Sequence, residues 1–439
     1  MTQPLHRWSA VRLLRALATR ELSATALATA LIERSQAIDP ALHAWAWFEP
    51  QAALRSARAL DRGPLRGPLH GLPLAVKDII DSAGVPTEYG SPIYAGHVPA
   101  LDAACVSIAQ SAGAWLLGKT VTTEFANMTP AATRNPHRAE HTPGGSSSGS
   151  AAAVAAGLAP VALGTQTAGS IIRPAAFCGI VGYKPSRERR IARAGVKLNS
   201  DTLDEVGVFA RSVDDAALLG LALSGRPGQP LPSEQAFAPR IGVTLTSRAD
   251  AASPEMTAMV LASAERLSAA GATVRDAAWP ASFDALFDAQ RVVQLCETAR
   301  ALAPEWLYRR KQLSAQLAAF LAEGVRIDGR AYTQAMSAAR AARAALDQTL
   351  FDGLDVIITP AAPGAAPRGL SSTGDPLFNR PWQLLGCGCI AIPAGRGGRG
   401  LPLGLQGVGR PGDDGRLLAA AAWIEARLAA ATPTTAPTD

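Results

Sequence analysis

The sequence lacks a hydrophobic run long enough to cross a membrane, and it has few cysteines. None of its apolar stretches reaches the ~18 residues that mark a membrane span without a glycine or proline. The 439-residue chain contains five cysteines. An odd number of cysteines in a long chain indicates no disulfide framework and is typical of a reducing compartment. We therefore predict a cytoplasmic protein without a membrane partner.

Histidine is confined to one part of the chain. All six histidines lie in the first third, and none has the HExxH spacing or another spacing typical of metal ligands. Cys387 and Cys389 are separated by one residue and have no partner pair, so we interpret them as buried thiols. We therefore predict no metal site.

The charge distribution gives little indication of a nucleic-acid partner. The formal net charge is +6, but the basic residues are scattered, and only Arg187–Arg193 forms a cluster. We interpret that cluster as a solvated face, which predicts no nucleic-acid partner. A composition of 48% hydrophobic and 18% charged residues is typical of a globular protein.

Strand patterns alternate with helix patterns along the chain, which indicates an α/β protein. Ser9 and Ser23 are predicted to cap the first two helices. A long helical stretch covers 283–350, with breaks predicted near Gly324 and Gly329, and a Thr/Pro tail ends the chain. The length alone favours two domains. The best boundary would then be Gly225–Pro239, which is rich in Pro, Gly, Gln and Ser.

The stretch from Pro143 to Pro174 contains two Gly/Ser corners joined by a run of small apolar residues. We predict a buried helix near 150–156 that leads into a strand at 161–163. Glycine lets the backbone approach a ligand closely and direct N–H groups at it, so the corners are candidates for a nucleophile site. The alternative is a flexible linker, against which the Ala/Val/Leu interior argues.

Lys77 lies inside the short apolar strand 72–80. A buried ammonium is costly, so such a lysine is either paired with an acid or has a lowered pKa. Asp78 is adjacent in sequence, but strand alternation directs it to the opposite face. The residues alone leave both interpretations open, a paired lysine and a general base.

Ser170 follows Thr167, whose loop can present successive N–H groups to an oxyanion. A nucleophilic serine needs a base. His137 and His141 precede the first Gly/Ser corner, so a Ser-His-Asp arrangement stays open as an alternative to a lysine base.

Residues Gly113–Thr120 match the phosphate-binding pattern GxxxxGK[ST]. The four residues between Gly113 and Gly118 are Ala-Trp-Leu-Leu, which favour a buried strand over an exposed loop. We therefore predict no nucleotide site there.

Several blocks together resemble one family. PGGSSSGSAAAVAAG followed by GTQTAGSIIRPAAFCGIVGYKPS is similar to the signature of the amidase signature family, and GLPLAVKD, LLGKTVTTEFA and LPLGLQGVG resemble its flanking blocks. The resemblance covers most of 1–225 and returns for about 350–428. It implies a single large mixed β-sheet covered by helices on both faces, which replaces the two-domain expectation.

The implied domain plan is one amidase domain over 1–439. Its parts are N-terminal helices (1–60), a catalytic signature core (65–225), a variable and largely helical region around the substrate pocket (226–350), and strands and a helix that complete the core (351–430).

The resemblance also implies a Ser-cisSer-Lys triad without metal or cofactor. Ser170 would be the nucleophile, Ser146 the bridging serine on a cis peptide, and Lys77 the base. Ser147 would support the triad by hydrogen bonding. The oxyanion donors would be four backbone N–H groups, those of Thr167, Ala168, Gly169 and Ser170.

Four positions depart from the usual family pattern. Ser148 and Ala168 stand where glycine is usual, and Gln166 stands where aspartate is common. Arg173 follows the nucleophile by three residues, as in malonamidase-like members, whose arginine binds a substrate carboxylate. Two interpretations of Arg173 stay open: it binds a substrate carboxylate, or it pairs with an acid of the protein.

The predicted function is hydrolysis of a small amide to a carboxylate and ammonia or an amine. If Arg173 binds a substrate carboxylate, the amide itself also bears a carboxylate. One alternative is an amidotransferase A subunit that supplies ammonia to a tRNA-dependent partner. Another is a non-catalytic binding protein on an amidase scaffold, which the departures at Ser148 and Ala168 would favour. The oligomeric state is open, with a homodimer among the expectations.

Overall fold

A computed structural model describes residues 3–226, 232–234 and 237–429 of the chain. The Thr/Pro tail predicted after the last helix lies outside the described residues, as do parts of the predicted boundary Gly225–Pro239.

The described strands form one mixed sheet of 11 strands in the order β1-β3-β2-β4-β6-β5-β10-β11-β9-β7-β8. Their bounds are β1 Trp45–Trp47, β2 Pro73–Lys77, β3 Trp115–Thr120, β4 Val161–Gln166, β5 Val181–Lys184, β6 Glu205–Ala210, β7 Arg240–Val243, β8 Thr273–Asp276, β9 Val356–Pro360, β10 Gly388–Arg396 and β11 Pro402–Gly409.

The α-helices of the described residues are α1 Ala10–Ala18, α2 Ala24–Leu42, α3 Pro50–Arg62, α4 Ala104–Ser111, α5 Ser148–Ala156, α6 Ile172–Cys178, α7 Val213–Leu223, α8 Pro254–Ala269, α9 Ala285–Ala301, α10 Ala303–Tyr308, α11 Ala315–Gly324, α12 Gly329–Thr349, α13 Arg380–Leu385 and α14 Asp414–Ala429. Ser9 and Ser23 cap α1 and α2, because their hydroxyls accept the N–H groups of Arg12 and Ala26. Both predicted helix starts are confirmed.

Helices cover both faces of the sheet, which confirms the predicted fold class. Strand alternation places Leu74 and Val76 in one apolar core, with residues of α4, α7, α8 and α14. Ala75 faces the other core, which contains residues of α2, α3, α5, α6, α9 and α12. Lys77 shares the direction of Ala75, so it lies on the same side as the helices that follow the two Gly/Ser corners.

Strands β2 and β4 lie side by side and run parallel, with Val76 opposite Leu163. Their carboxyl ends therefore meet at one edge of the sheet, where ligand sites of α/β proteins commonly form. Lys77 ends β2, and Gln166 ends β4 just before the second Gly/Ser corner. This edge brings together segments that are far apart in the sequence.

The arginine cluster at 187–193 is not the solvated face that was predicted. Arg187, Arg189 and Arg190 are only partly exposed. Arg190 makes two hydrogen bonds to Glu205, at 2.8 and 2.7 Å, while Arg187 and Arg189 donate to backbone carbonyls of distant segments. The cluster ties β6 and the C-terminal segments together, because long arginine side chains reach acceptors beneath the surface.

The described residues were compared with the patterns of a membrane-spanning helix and of a metal site. Within 3–226, 232–234 and 237–429, no helix is long and apolar enough to span a membrane. The same residues contain no group of three or more His, Cys, Asp or Glu side chains arranged to hold a metal ion.

Candidate active site

Lys77 is fully buried and makes two side-chain hydrogen bonds. Its Nζ donates to Ser146 Oγ at 2.8 Å and to Thr165 Oγ1 at 2.8 Å. Burial lowers the pKa of Lys77 to about 7, against an opposing influence of the Asp204 carboxylate. Asp78 does not pair with Lys77, because it lies on the other face and forms an ion pair with Lys119 at 3.1 Å.

The first Gly/Ser corner is tightly packed, so the linker alternative is wrong. The peptide bond between Gly145 and Ser146 is cis. A Cβ at Gly145 would lie 2.6 Å from Thr373 Cγ2, and one at Gly149 would lie 2.3 Å from the Ala44 carbonyl oxygen. The glycines allow these close approaches, which hold Ser146 against Lys77.

Ser147 supports the site through the end of β4. Its hydroxyl donates to the Thr165 carbonyl at 3.2 Å and accepts the Thr165 N–H at 3.3 Å. Thr165 in turn accepts a hydrogen bond from Lys77. Ser147 therefore supports Lys77 indirectly, by holding Thr165 in place, and makes no hydrogen bond to Lys77 itself. Sequence reasoning missed Thr165, because a threonine at a Gly/Ser corner carries no signal of its own.

The second corner is fixed by Gln166. Its Oε1 accepts the N–H groups of Ile171 at 2.8 Å and Ile172 at 3.1 Å, which begin helix α6. Its Nε2 donates to Gln383 Oε1 at 2.9 Å. An amide at this position thus accepts two backbone N–H groups as a carboxylate would, and it also donates to α13.

Ala168 and Gly169 fit the loop for different reasons. Ala168 does not have a positive φ, so alanine adds no backbone strain where glycine is usual. A Cβ at Gly169 would lie 2.3 Å from Asn379 Oδ1 and 2.8 Å from Pro376 Cβ. Glycine is therefore required by close packing at 169 and is dispensable at 168.

Thr167 is anchored by a buried carboxylate that sequence reasoning also missed. Thr167 Oγ1 donates to Asp204 Oδ1 at 2.5 Å. Asp204 Oδ2 accepts the N–H groups of Asn199 at 2.6 Å and Ser200 at 3.1 Å. Burial raises the pKa of Asp204 to about 6. This carboxylate holds the loop in place and is close enough to Lys77 to influence it electrostatically.

Ser170 lines a cavity beside this loop and is almost buried, with 8% of its surface exposed. Among the described residues, no hydrogen bond joins Ser170 Oγ to Ser146 Oγ. The structure thus places Lys77 against Ser146, and it places Ser170 at the neighbouring corner.

Arg173 lies on α6 in the wall of the same cavity. Its Nη2 donates to the Gly145 carbonyl at 2.8 Å and to Thr373 Oγ1 at 3.1 Å. Burial lowers the pKa of Arg173 to about 10, although Asp375 raises it. Arg173 forms no ion pair within the described residues, and its Nε and Nη1 atoms are buried there without a hydrogen-bond partner.

The two histidines do not form a triad with Ser170. His137 Nε2 contacts the Cys178 carbonyl at 2.9 Å, and His141 Nδ1 contacts the Ala366 carbonyl at 2.8 Å. The Ser-His-Asp alternative is therefore wrong. Trp115–Thr120 is strand β3, as the apolar residues predicted, so no phosphate-binding loop forms at 113–120.

Comparison with known proteins identifies the family. Residues 26–418 match the Amidase family model. The chain therefore belongs to the amidase family, as its Gly/Ser signature indicates, and this membership supports amide hydrolysis as its class of reaction.

Related sequences and structures extend over almost the whole chain. The A subunit of the glutamyl-tRNA(Gln) amidotransferase of Acidothermus cellulolyticus is 35% identical, with 96% of this chain and 94% of that protein covered. A solved structure described as an amidase has 31% identity and a TM-score of 0.88, with 96% of this chain and all of that chain covered. The native peptide amidase of Stenotrophomonas maltophilia has 31% identity and a TM-score of 0.82, with 99% and 100% covered.

Proposed function

We propose that this protein hydrolyses the C–N bond of a carboxamide through an acyl-enzyme formed on Ser170. The hydrogen bond of 2.8 Å between Lys77 Nζ and Ser146 Oγ carries the proposal, because it lies in a site where burial lowers the pKa of Lys77 to about 7. A lysine with this pKa is largely uncharged just above neutral pH, and an uncharged amine can accept a proton.

The proposed reaction moves protons along the serine relay. Ser170 Oγ attacks the carbonyl carbon and gives its proton to Ser146 Oγ, while Ser146 gives its own proton to Lys77 Nζ. The oxyanion faces the backbone N–H groups at 167–170. The C–N bond breaks as a proton returns through the relay to the leaving nitrogen. Water then hydrolyses the ester and releases the carboxylate.

The relay requires Ser146 and Ser170 to come into contact when substrate binds. Catalytic hydrogen bonds are often long in substrate-free enzymes and shorten in the substrate complex. The Lys77 to Ser146 contact is already formed, so the remaining step is a contact between Ser146 and Ser170.

We also propose that Arg173 binds a carboxylate on the substrate. Within the described residues, its guanidinium is buried in the cavity wall beside Ser170 without an ion pair, and two of its nitrogens lack partners. A carboxylate suits these unpartnered nitrogens, because it accepts charge-assisted hydrogen bonds from a guanidinium. Arg173→Gln should lower kcat/KM for a carboxylated amide by about 10- to 100-fold, since hydrogen bonds to charged groups are worth ~1.5–3 kcal/mol. Neutral amides should lose much less, and equal losses on both would contradict this role.

A second candidate function is that of an ammonia-supplying amidotransferase subunit. The identity to glutamyl-tRNA(Gln) amidotransferase A subunits favours it, including 34% to that of Anaeromyxobacter sp. strain K, with 94% of each chain covered. Both candidates use the same amide chemistry and differ in the fate of the ammonia. Glutaminase activity that depends on a copurifying partner would favour the second candidate, whereas full activity of the isolated chain would favour the first.

Two measurements test the hydrolase proposal. A fluorophosphonate probe should label the wild type and should not label Ser170→Ala. A panel of aliphatic, aryl and carboxylated amides should release ammonia or amine with the wild type only. An unlabelled wild type that hydrolyses no amide would instead support a binding protein on an amidase scaffold.

The sheet supports a single-domain organisation, which we propose for residues 1–439. Strands from before residue 226 join strands from residue 240 onward through the pairing of β5 with β10. The region 226–350 would then be an insertion into one amidase domain, since its strands β7 and β8 extend the same sheet.

A further inference from the structure

Unpartnered polar atoms are concentrated in the cavity beside Ser170. Asn127 Oδ1, Gln290 Oε1 and two nitrogens of Arg173 are buried without a hydrogen-bond partner among the described residues. All three residues line this one cavity together with Ser170. A buried polar atom without a partner is costly, so such a concentration is typical of a site that a ligand completes.

The orientation of both amide side chains is fixed by backbone carbonyls. Gln290 Nε2 donates to the Thr167 carbonyl at 3.2 Å, and Asn127 Nδ2 donates to the Phe125 carbonyl at 3.2 Å. A carbonyl can only accept, so the amide nitrogens must face these groups. The remaining oxygens, Gln290 Oε1 and Asn127 Oδ1, are therefore acceptors that require N–H or O–H donors.

These two residues connect to the two halves of the reacting site. Gln290 contacts Thr167, at the start of the proposed oxyanion loop. Asn127 is linked to Ser146 through Thr123, whose N–H donates to the Ser146 carbonyl at 3.2 Å and whose hydroxyl donates to the Asn127 carbonyl at 2.7 Å. One acceptor thus belongs to the oxyanion side and the other to the side of the relay serine.

We propose that Asn127 and Gln290 determine specificity by accepting the two N–H groups of an unsubstituted carboxamide, so that the leaving group is ammonia. This inference rests on the hydrolase function proposed above. A –CONH₂ group offers two N–H donors, while its carbonyl oxygen is left for the loop N–H groups. An N-alkyl amide replaces one donor with carbon and leaves one buried acceptor unpaired. Sites built to hydrogen-bond a substrate discriminate strongly against analogues that lack the donor.

The test compares a primary amide with the N-methyl amide of the same acyl group. The wild type should have a kcat/KM for the primary amide that is about 10- to 100-fold higher than for the N-methyl amide. Asn127→Leu and Gln290→Met keep similar volume and remove the acceptor, so the preference should fall to a few-fold. Asn127→Asp keeps an acceptor and should retain more of the preference. Phe320→Leu alters the same cavity without removing a polar atom, so it should keep the preference.

The outcomes separate this inference from the proposed function. Equal wild-type rates on both amides would overturn the inference while leaving the hydrolase intact. A strong preference that survives in both acceptor variants would also overturn it, because exclusion of the methyl group by size does not depend on an acceptor. If no amide in the panel reacts and the fluorophosphonate probe does not label Ser170, the hydrolase proposal itself fails. The wild-type comparison stands even if a variant does not fold.

Discussion

The signature core (65–225) and the helical region (226–350) contribute different residues to the same cavity. The core contains Lys77, Ser146 and Ser170, at or beside the carboxyl ends of β2 and β4. The helical region adds Gln290 of α9 and Phe320 of α11 to the cavity wall. The proposed reacting groups lie at or beside one edge of the sheet, while helices that pack against the sheet contribute to the cavity wall. The comparison indicates that the proposed chemistry depends on the core, while the proposed choice of substrate depends on both regions, through Asn127 and Arg173 of the core and Gln290 of the helical region.

The largest effects should come from the core. Ser170→Ala and Lys77→Met should each lower kcat by at least about 10³-fold, because serine hydrolases depend on every member of the nucleophile–base unit. Rates with a chromogenic amide would measure this, and thermal melting would verify folding. Ser111→Ala is a suitable control, since Ser111 is exposed at the end of α4 and its hydroxyl donates to the Ile108 carbonyl of the same helix. Retention of activity in Ser170→Ala would refute the assignment of the nucleophile.

Gly169→Ala should have the next largest effect. The added Cβ would lie 2.3 Å from Asn379 Oδ1, and Asn379 is held by hydrogen bonds to the Ala361 carbonyl and to Gln406. The loop must therefore move, and misplacing oxyanion donors costs ~10²–10³ in kcat. Gly329→Ala is the matched control, because no described atom lies within 4 Å of its Cβ position. Equal kcat values for the two variants would show that the loop position is not critical.

The pH dependence tests the role of Lys77 and of its neighbour Asp204. Because burial lowers the pKa of Lys77 to about 7, kcat/KM should be low in acid, rise through pH ~7 and level off at alkaline pH, where the amine is uncharged. The Asp204 charge raises the pKa of Lys77. Asp204→Asn removes that charge, so the rise should move to lower pH.

A second variant separates the charge of Asp204 from its contact with the loop. Arg193 donates to the Asp204 backbone carbonyl, and the Asp204 carboxylate accepts from Thr167 and from two backbone N–H groups. Thr167→Val would remove the loop anchor and leave the carboxylate in place, so it should lower the rate. Because it also removes a hydrogen bond that lowers the pKa of Asp204, its profile should move to lower pH by less than that of Asp204→Asn. An unmoved profile in Asp204→Asn would show that the carboxylate does not act on the lysine.

The smallest effect is expected at Phe320 of α11. Phe320→Leu should change kcat/KM by less than about 10-fold, mainly through KM, because a few methylenes in a pocket wall discriminate weakly. Initial rates over a range of substrate sizes would measure it. A loss of kcat as large as that of Gly169→Ala would break the division between the two regions.

Local patterns predicted part of the structure before residue 226. Helices α1 and α2 begin where predicted, because the hydroxyls of Ser9 and Ser23 cap them. Strand β4 was predicted to end at Leu163, but it continues to Gln166, because Thr165 and Gln166 pair with β6. That pairing joins segments about forty residues apart, so no local pattern contains it.

The helical region was less predictable. Breaks near Gly324 and Gly329 were expected and occur, but the break before Ser314 was not. Ser314 caps α11 and its N–H donates to the Glu124 carboxylate, a contact 190 residues away. The same limitation applies to Gln290, whose contact with Thr167 is set by how α9 packs on the core. The family resemblance supplied the candidate triad, whereas the pocket wall follows from tertiary packing.

The position of β10 and β11 in the middle of the sheet has a consequence for biosynthesis. Among the described strands these two are the last to be translated, yet they join a six-stranded part ending in β5 to a three-stranded part beginning with β9. Until residues 388–409 leave the ribosome, both parts present unpaired edges that can associate with other chains. A chain that stops before Gly388 would therefore lack the strands that join the two parts of the sheet. We expect such a truncated chain to be inactive.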